Sequence, residues 1–394
     1  MRKALLIQAC VLAAILALPF LTGCGSNAGK DGEANAEKQK PSNENDKIND
    51  KNKTADVDPA GNPVFPENEH EKTPAKYPDA ICLLNPQDAT AYCTRGMAFG
   101  ERGEWDKAIA DFNEAIRLDS KKTIAYYNRG VAYGNKGEWD KAIADYSEVI
   151  RLVPNAIDAY HNRGMAYGEK GEWDKAIADY SEVIRLVPKA TDAYRNRGMA
   201  YGEKGEWDKA IADFNEIIRL DPKNAGAYYN RGVTYLNKSE RDKAIADFNE
   251  TIRLDPDWML AYYNRGGIHA NKEEWDKAIA DYNEVIRLDP ENVDAYNNRG
   301  VAYGEKGELD KAIIDYNKTI SLNPKIPNPY SNRGMAYLEK DEWDKAIADC
   351  NEAIRLDPKY ANAYYIRGEA YREKGETAKA EQDSKRAKEL GYRE

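Results

Sequence analysis

Side chains capable of chemistry are scattered along this chain, apart from two rows. Three histidines, His70, His161 and His269, and five cysteines, Cys10, Cys24, Cys82, Cys93 and Cys350, occur in 394 residues. A nucleophile needs a base beside it and a metal needs paired ligands at short spacing, and neither arrangement is present. Asp56, Asp58, Gly61 and Glu67 stand at the spacings of a calcium-binding loop, but Ala60 lacks an oxygen and Pro59, Pro63 and Pro66 interrupt it, so calcium is not expected. The expectation is a chain without catalysis, metal or cofactor.

The two rows carry more. Asparagine recurs every 34 residues at Asn128, Asn162, Asn196, Asn230, Asn264, Asn298 and Asn332. A carboxamide offers both a donor and an acceptor, so an evenly spaced row suits an extended backbone whatever its side chains. The alternative is that each asparagine holds its own repeat. Arginine recurs nine times from Arg95 to Arg367, each followed 16 residues later by an aspartate, Asp111 to Asp383, as in Arg197 and Asp213. A charged pair inside the fold is the preferred reading, because breaking a partly buried pair leaves a bare charge. A guanidinium ladder for an anionic ligand is the alternative.

These rows are positioned by a repeat. Ala159 to Ile184 returns almost unchanged as Ala193 to Ile218, and the same frame runs through 89–122, 123–156, 157–190, 191–224, 225–258, 259–292, 293–326, 327–360 and 361–394. A fixed period of this length is the mark of stacked helical units. Within Thr191 to Asn224, Tyr194, Gly198 and Tyr201, then Trp207, Ala210, Ile211, Phe214, Ile217 and Ile218, fall at spacings of three and four, which predicts two amphipathic helices. Gly205 between them is free to take a positive φ, and Pro222 closes the unit. Gly198 and Ala210 are small enough for the helices to approach closely. Counted within each frame, an aromatic at position 4, Gly at 8, Tyr at 11, Ala at 20, Phe or Tyr at 24 and Pro at 32 recur.

That spacing resembles the tetratricopeptide repeat family, over 306 of the 394 residues, with Arg at position 7 where the family commonly has Leu. The resemblance implies an all-α fold, an α-α superhelix of nine 34-residue helix-turn-helix repeats, with the first helix of each lining a concave groove. It further implies peptide contacts from the asparagine row, from Tyr127, Tyr229 and Tyr263 at position 5, and from Met165 and Met199 at position 9. The chain lacks the Lys at 5 and Asn at 9 that form the family's carboxylate clamp. Thr377, Glu381, Ser384 and Lys388 make the last helix polar, as the exposed end of a stack requires. Stacking is expected to be weakest from 239 to 271, where Arg241 replaces Trp and Gly267, Ile268 and His269 break the pattern.

With 68 acidic against 58 basic residues, a net of -10, a nucleic-acid backbone is not the expected partner. Residues 1–23 read as a signal peptide: Arg2 and Lys3, an apolar run, then Leu21-Thr22-Gly23 before Cys24. Leu21 to Cys24 resembles a bacterial lipobox, which implies cleavage before Cys24 and acyl chains on its thiol as a membrane anchor. Gly25 follows where an inner-membrane retention signal would have Asp, pointing to an outer membrane if two membranes are present. An ordinary signal peptide or a short span is the alternative, and the run is short for a span. Residues 24–76 are polar and read as a flexible tether reaching roughly 40 Å on average. Residues 77–88 read as a cap on the first repeat, and Cys82 could pair with Cys93 in an oxidising compartment. The expected function is a non-catalytic, membrane-anchored scaffold gripping an extended segment of a partner protein, in envelope assembly or secretion. A self-associating solenoid and an accessory subunit of a glycan-processing enzyme complex are the alternatives, and the oligomeric state stays open.

Overall fold

The computed structural model describes residues 87–392, and all regular structure among them is helical. Eighteen helices alternate in length of 13 and 14 residues, only the last breaking the alternation at 13. They run α1 (Ala89–Glu101), α2 (Trp105–Leu118), α3 (Thr123–Asn135), α4 (Trp139–Leu152), α5 (Ile157–Glu169), α6 (Trp173–Leu186), α7 (Thr191–Glu203) and α8 (Trp207–Leu220). There follow α9 (Ala225–Asn237), α10 (Arg241–Leu254), α11 (Met259–Asn271), α12 (Trp275–Leu288), α13 (Val293–Glu305), α14 (Leu309–Leu322), α15 (Pro327–Glu339), α16 (Trp343–Leu356), α17 (Ala361–Glu373) and α18 (Thr377–Glu389). The chain divides into two compact units between Leu220 and Asp221, with four helix pairs in the first and five in the second. Each unit is a solenoid of antiparallel pairs.

The turn inside each pair follows from its residues. In the fourth frame Gly205 adopts φ 73°, and Glu206 N donates to Tyr201 O at 2.8 Å, closing α7 with a left-handed cap. Ser239, Glu273 and Asp341 occupy the same position in three frames and take φ of 62°, 59° and 60°, a region that side chains with a Cβ enter at a cost. In five of the eight turns between frames an aspartate or asparagine precedes proline, as where Lys223 N donates to Asp221 Oδ1 at 3.0 Å.

Packing within a pair depends on glycine at position 8. A Cβ on Gly198 would meet the Phe214 ring at 3.0 Å, and one on Gly130 would meet Tyr146 at 2.8 Å. Absence of that atom lets an aromatic from the second helix lie flat on the first, and the alanine at position 20 beside it is fully buried in almost every frame. Each such ring contributes on the order of 3 kcal/mol by burial. Where the eighth frame has Cys350 instead of a ring, Leu338 stands at the neighbouring position that elsewhere is mostly glycine and packs on the same cluster.

The stretch expected to stack weakly has a filled apolar core, but its α10–α11 contact is the sparsest between neighbouring frames within either unit. Ile268 is only 1% exposed and joins Phe248, Ala244 and Ala261 in one cluster, with Leu236 from the preceding frame packed against them. Gly267 and Ile268 exchange the large and small positions of other frames, so volume is conserved. His269 Nδ1 meets Glu274 Oε2 at 2.6 Å, and Arg241 stays exposed. At the C-terminus Thr377, Glu381 and Lys388 are exposed, as a terminal helix requires.

Candidate functional site

In the first unit the first helices of successive frames approach one another while the second helices make no comparable approach, and the last three frames of the second unit behave the same way. The first helices therefore lie on the inside of the curve in these stretches. Positions 5, 6, 9 and 13 of these helices fall into two groups.

Positions 5 and 6 are tied into the stack. The Tyr127 ring lies 5.9 Å from that of Tyr146, Tyr229 lies 5.9 Å from Phe248, and Tyr263 lies 6.1 Å from Tyr282, so each packs on the aromatic of its own second helix. Their hydroxyls accept from the asparagine of the next frame. Asn162 Nδ2 donates to Tyr127 Oη at 2.9 Å, Asn264 Nδ2 to Tyr229 Oη at 3.2 Å and Asn298 Nδ2 to Tyr263 Oη at 3.2 Å. Asn332 Nδ2 donates to Asn297 Oδ1 at 3.2 Å, and Asn196 Nδ2 sits 3.4 Å from His161 Nε2, a contact that calls for the neutral ring. Burial lowers the pKa of that imidazole. Asn128 follows Cys93, which offers no oxygen, and turns back to Ile124 O at 2.9 Å; Asn230 is half-buried. The donor half of most of these carboxamides is thus spent between frames.

Arginine at position 7 is a three-way clamp. Arg197 Nε donates to Asp213 Oδ2 at 2.9 Å and Nη2 to Asp213 Oδ1 at 2.7 Å, while Nη1 reaches back to Ser181 Oγ of the preceding frame at 3.0 Å. Its guanidinium also lies over the Tyr194 ring. Burial raises Asp213 above the usual carboxylate range even with Arg197 bonded to it. A second link, absent from the sequence reading, joins Lys204 Nζ to Asp174 Oδ1 of the previous frame at 2.6 Å and repeats as Lys170 to Asp140 and Lys306 to Asp276. Its signal was a lysine and an aspartate exactly one frame less four residues apart.

Positions 9 and 13 form the other group. Met165 and Met199 are half-buried, and Met97 is 39% exposed. Position 13 is mostly glutamate. Burial raises Glu203 and Glu305 above the usual carboxylate range, and Glu339 and Glu273 add to the rise at Glu305. These positions add partly exposed methionine and partly buried carboxylate to the first helices. The second unit also holds a hollow between its last three frames, lined by residues including Ser331 and Met335.

Cys93 and Cys350 are buried free thiols, and burial pushes Cys93 up to about 11. Among the described residues no group of three or more His, Cys, Asp or Glu is placed to hold a metal, and no helix is long and apolar enough to cross a membrane. Cys24, the tether, the calcium-like spacing from Asp56 to Glu67, His70, Cys82 and most of the capping segment lie outside the described residues.

The structure is similar to the C-terminal part of a repeat-containing protein from Cytophaga hutchinsonii, with TM-score 0.54 and 20% identity over 60% of this chain and 97% of that one. It is also similar to YrrB, described as a tetratricopeptide repeat protein with an unusual peptide-binding site, at 28% identity, TM-score 0.44, over 50% of this chain and all of that one. MamA is 30% identical over 43% of this chain and 92% of its own, with TM-score 0.40. No match is found among curated proteins. Tetratricopeptide repeat models match residues 96–137, 135–171, 164–205, 198–239, 266–307 and 334–375, with further matches at 225–257, 293–326 and 361–390. Over well more than half its length, then, the chain belongs to the tetratricopeptide repeat family, whose stacked helix pairs are generally non-catalytic scaffolds for protein–protein interaction.

Proposed function

We propose that the chain is a membrane-anchored scaffold that binds an extended segment of a partner protein along the first-helix face. The observation that carries the reading is the division of that face: positions 5, 6 and 7 are consumed by hydrogen bonds within the stack, while Met97, Met165 and Met199 at position 9 stay partly exposed and glutamates recur at 13. Unbranched thioethers adapt to varied apolar side chains, and a floor of them beside carboxylates suits a segment that is part apolar and part basic. The anchor rests on the sequence from Leu21 to Cys24 and points to a bacterial envelope, in assembly or secretion.

Two experiments test the reading. Partners captured on the wild-type protein are compared with those on Met165→Glu/Met199→Glu and on Asn196→Ala/Asn230→Ala/Asn264→Ala. Loss of a specific partner in the methionine variant with helical content unchanged supports the face; an unchanged partner set refutes it. For the anchor, cells are labelled with a fatty acid, and Cys24→Ser is expected to abolish both the label and sedimentation with membranes. Label retained in Cys24→Ser refutes the anchor.

A further inference from the structure

We propose that the hollow between the last three frames receives one apolar side chain of a basic peptide, an inference that rests on the scaffold reading and adds the chemistry of its ligand. The walls of the hollow include Val301, Leu309, Tyr316, Ser331, Met335 and Tyr365. It exists because two residues are smaller than their counterparts in other frames. Position 17 holds Trp in six frames and Leu309 here; position 5 holds Tyr in four frames and Ser331 here, 1% exposed. Together the two changes remove an indole and a phenol from one place. Met335 at the floor is flexible enough to close on aromatic or aliphatic shapes.

Charge selects the occupant. Glu339 lines the hollow, and Glu305 lies close enough to feel its charge. Among the described residues neither carboxylate has a cationic partner within ion-pairing distance. The nearby lysines Lys306 and Lys340 are turned instead to Asp276 and Asp310. A carboxylate lining an apolar hollow, with a second near enough to interact with it, repels an acidic peptide and attracts a lysine or arginine flanking the inserted side chain. Asn332, with its Nδ2 already given to Asn297, also lines the hollow and keeps its carbonyl side for a peptide amide.

The test is fluorescence anisotropy of the purified full chain with a labelled peptide of glycine and serine that carries one phenylalanine between two lysines. Saturable binding is expected, weakened at least about tenfold when the phenylalanine becomes glycine, since tenfold corresponds to only part of one buried ring. The double variant Leu309→Trp/Ser331→Tyr fills the hollow with residues that other frames hold, so the fold is retained, and the same loss is expected. Glu305→Gln/Glu339→Gln is expected to weaken the lysine peptide about tenfold, the scale of two partly exposed charge contacts. Undiminished binding to the filled variant overturns the proposal, as does equal binding of a peptide with glutamates in place of the lysines. No binding to wild type also overturns it. If partner capture still depends on Met165 and Met199 in that case, the scaffold reading stands without the hollow.

Discussion

The Arg197–Asp213 pair gives the sharpest test of how the stack is held. The carboxylate side chain is 6% exposed and the guanidinium 19%, and two bonds of 2.7 and 2.9 Å join them. Burial raises Asp213 despite its partner, whereas the bond to Asp213 outweighs burial and raises the Arg197 guanidinium; the two effects oppose, and the pair contributes little net stability. Removing one member is different, because the other is left charged in a poorly hydrated place. The full penalty is about 3–5 kcal/mol for a buried pair; the exposed edge of Arg197 lowers it to about 2–4 kcal/mol for Asp213→Leu. Arg197→Met leaves Asp213 bare at similar cost, while Ser181 keeps its bond to Ile177 O at 2.7 Å and adds nothing to the penalty. The double variant Arg197→Met/Asp213→Leu should lie within about 1 kcal/mol of wild type, which makes the coupling at least about 2 kcal/mol. Backbone amide exchange in α7 and α8 reads this locally, without requiring the whole array to unfold as one. A double variant as unstable as the sum of the singles, or singles that cost under about 1 kcal/mol, would refute the reasoning.

Other predictions follow from the turns, the close contacts and the buried titratable groups. Ser239→Gly and Asp341→Gly each relieve a left-handed residue and should raise stability by about 1 kcal/mol in thermal unfolding. Gly198→Ala drives a methyl into the Phe214 ring and should cost about 1–3 kcal/mol by the same measurement. Burial lowers the His161 pKa below its unfolded value, so the folded state binds fewer protons. The stability its neutral ring contributes is complete above about pH 6.5 and declines as pH falls below it; His161→Tyr should flatten that decline, and a ring titrating above 6.5 by NMR would contradict it. Cys93 and Cys350 should resist iodoacetamide in the native protein at pH 8 and react only after denaturation, as mass spectrometry of the alkylated peptides will report.

The helix pairs were legible because a 34-residue period repeats each determinant in most frames: Gly205 at the turn takes the positive φ its type allows, and Gly198 lies against the Phe214 ring. Legibility ended where one residue's role depends on another frame. Nothing in Asn162 says that its amide nitrogen belongs to Tyr127, 35 residues earlier, because the stagger between neighbouring frames is a tertiary quantity. The sixth frame was only partly legible for a related reason. Read alone, Gly267 and His269 are losses; read with Ile268, Leu236 and Glu274 they are an exchange of volume and a replaced polar contact. The hollow was readable only as two small residues, Leu309 and Ser331, whose sites converge through folding.

The polar links between frames share a direction. Within each unit Arg197 reaches back to Ser181, Lys306 to Asp276 and Asn264 to Tyr229, so the later frame supplies the donors and the earlier one the acceptors. A chain leaving the ribosome therefore completes its acceptor surface first, and every newly emerged repeat meets a finished landing site. Growth of each unit is vectorial by construction: trimming from the C-terminus leaves solvated oxygens, whereas trimming from the N-terminus frees one contact of each cation, which keeps its partner within the frame, Asp213 for Arg197 and Glu308 for Lys306.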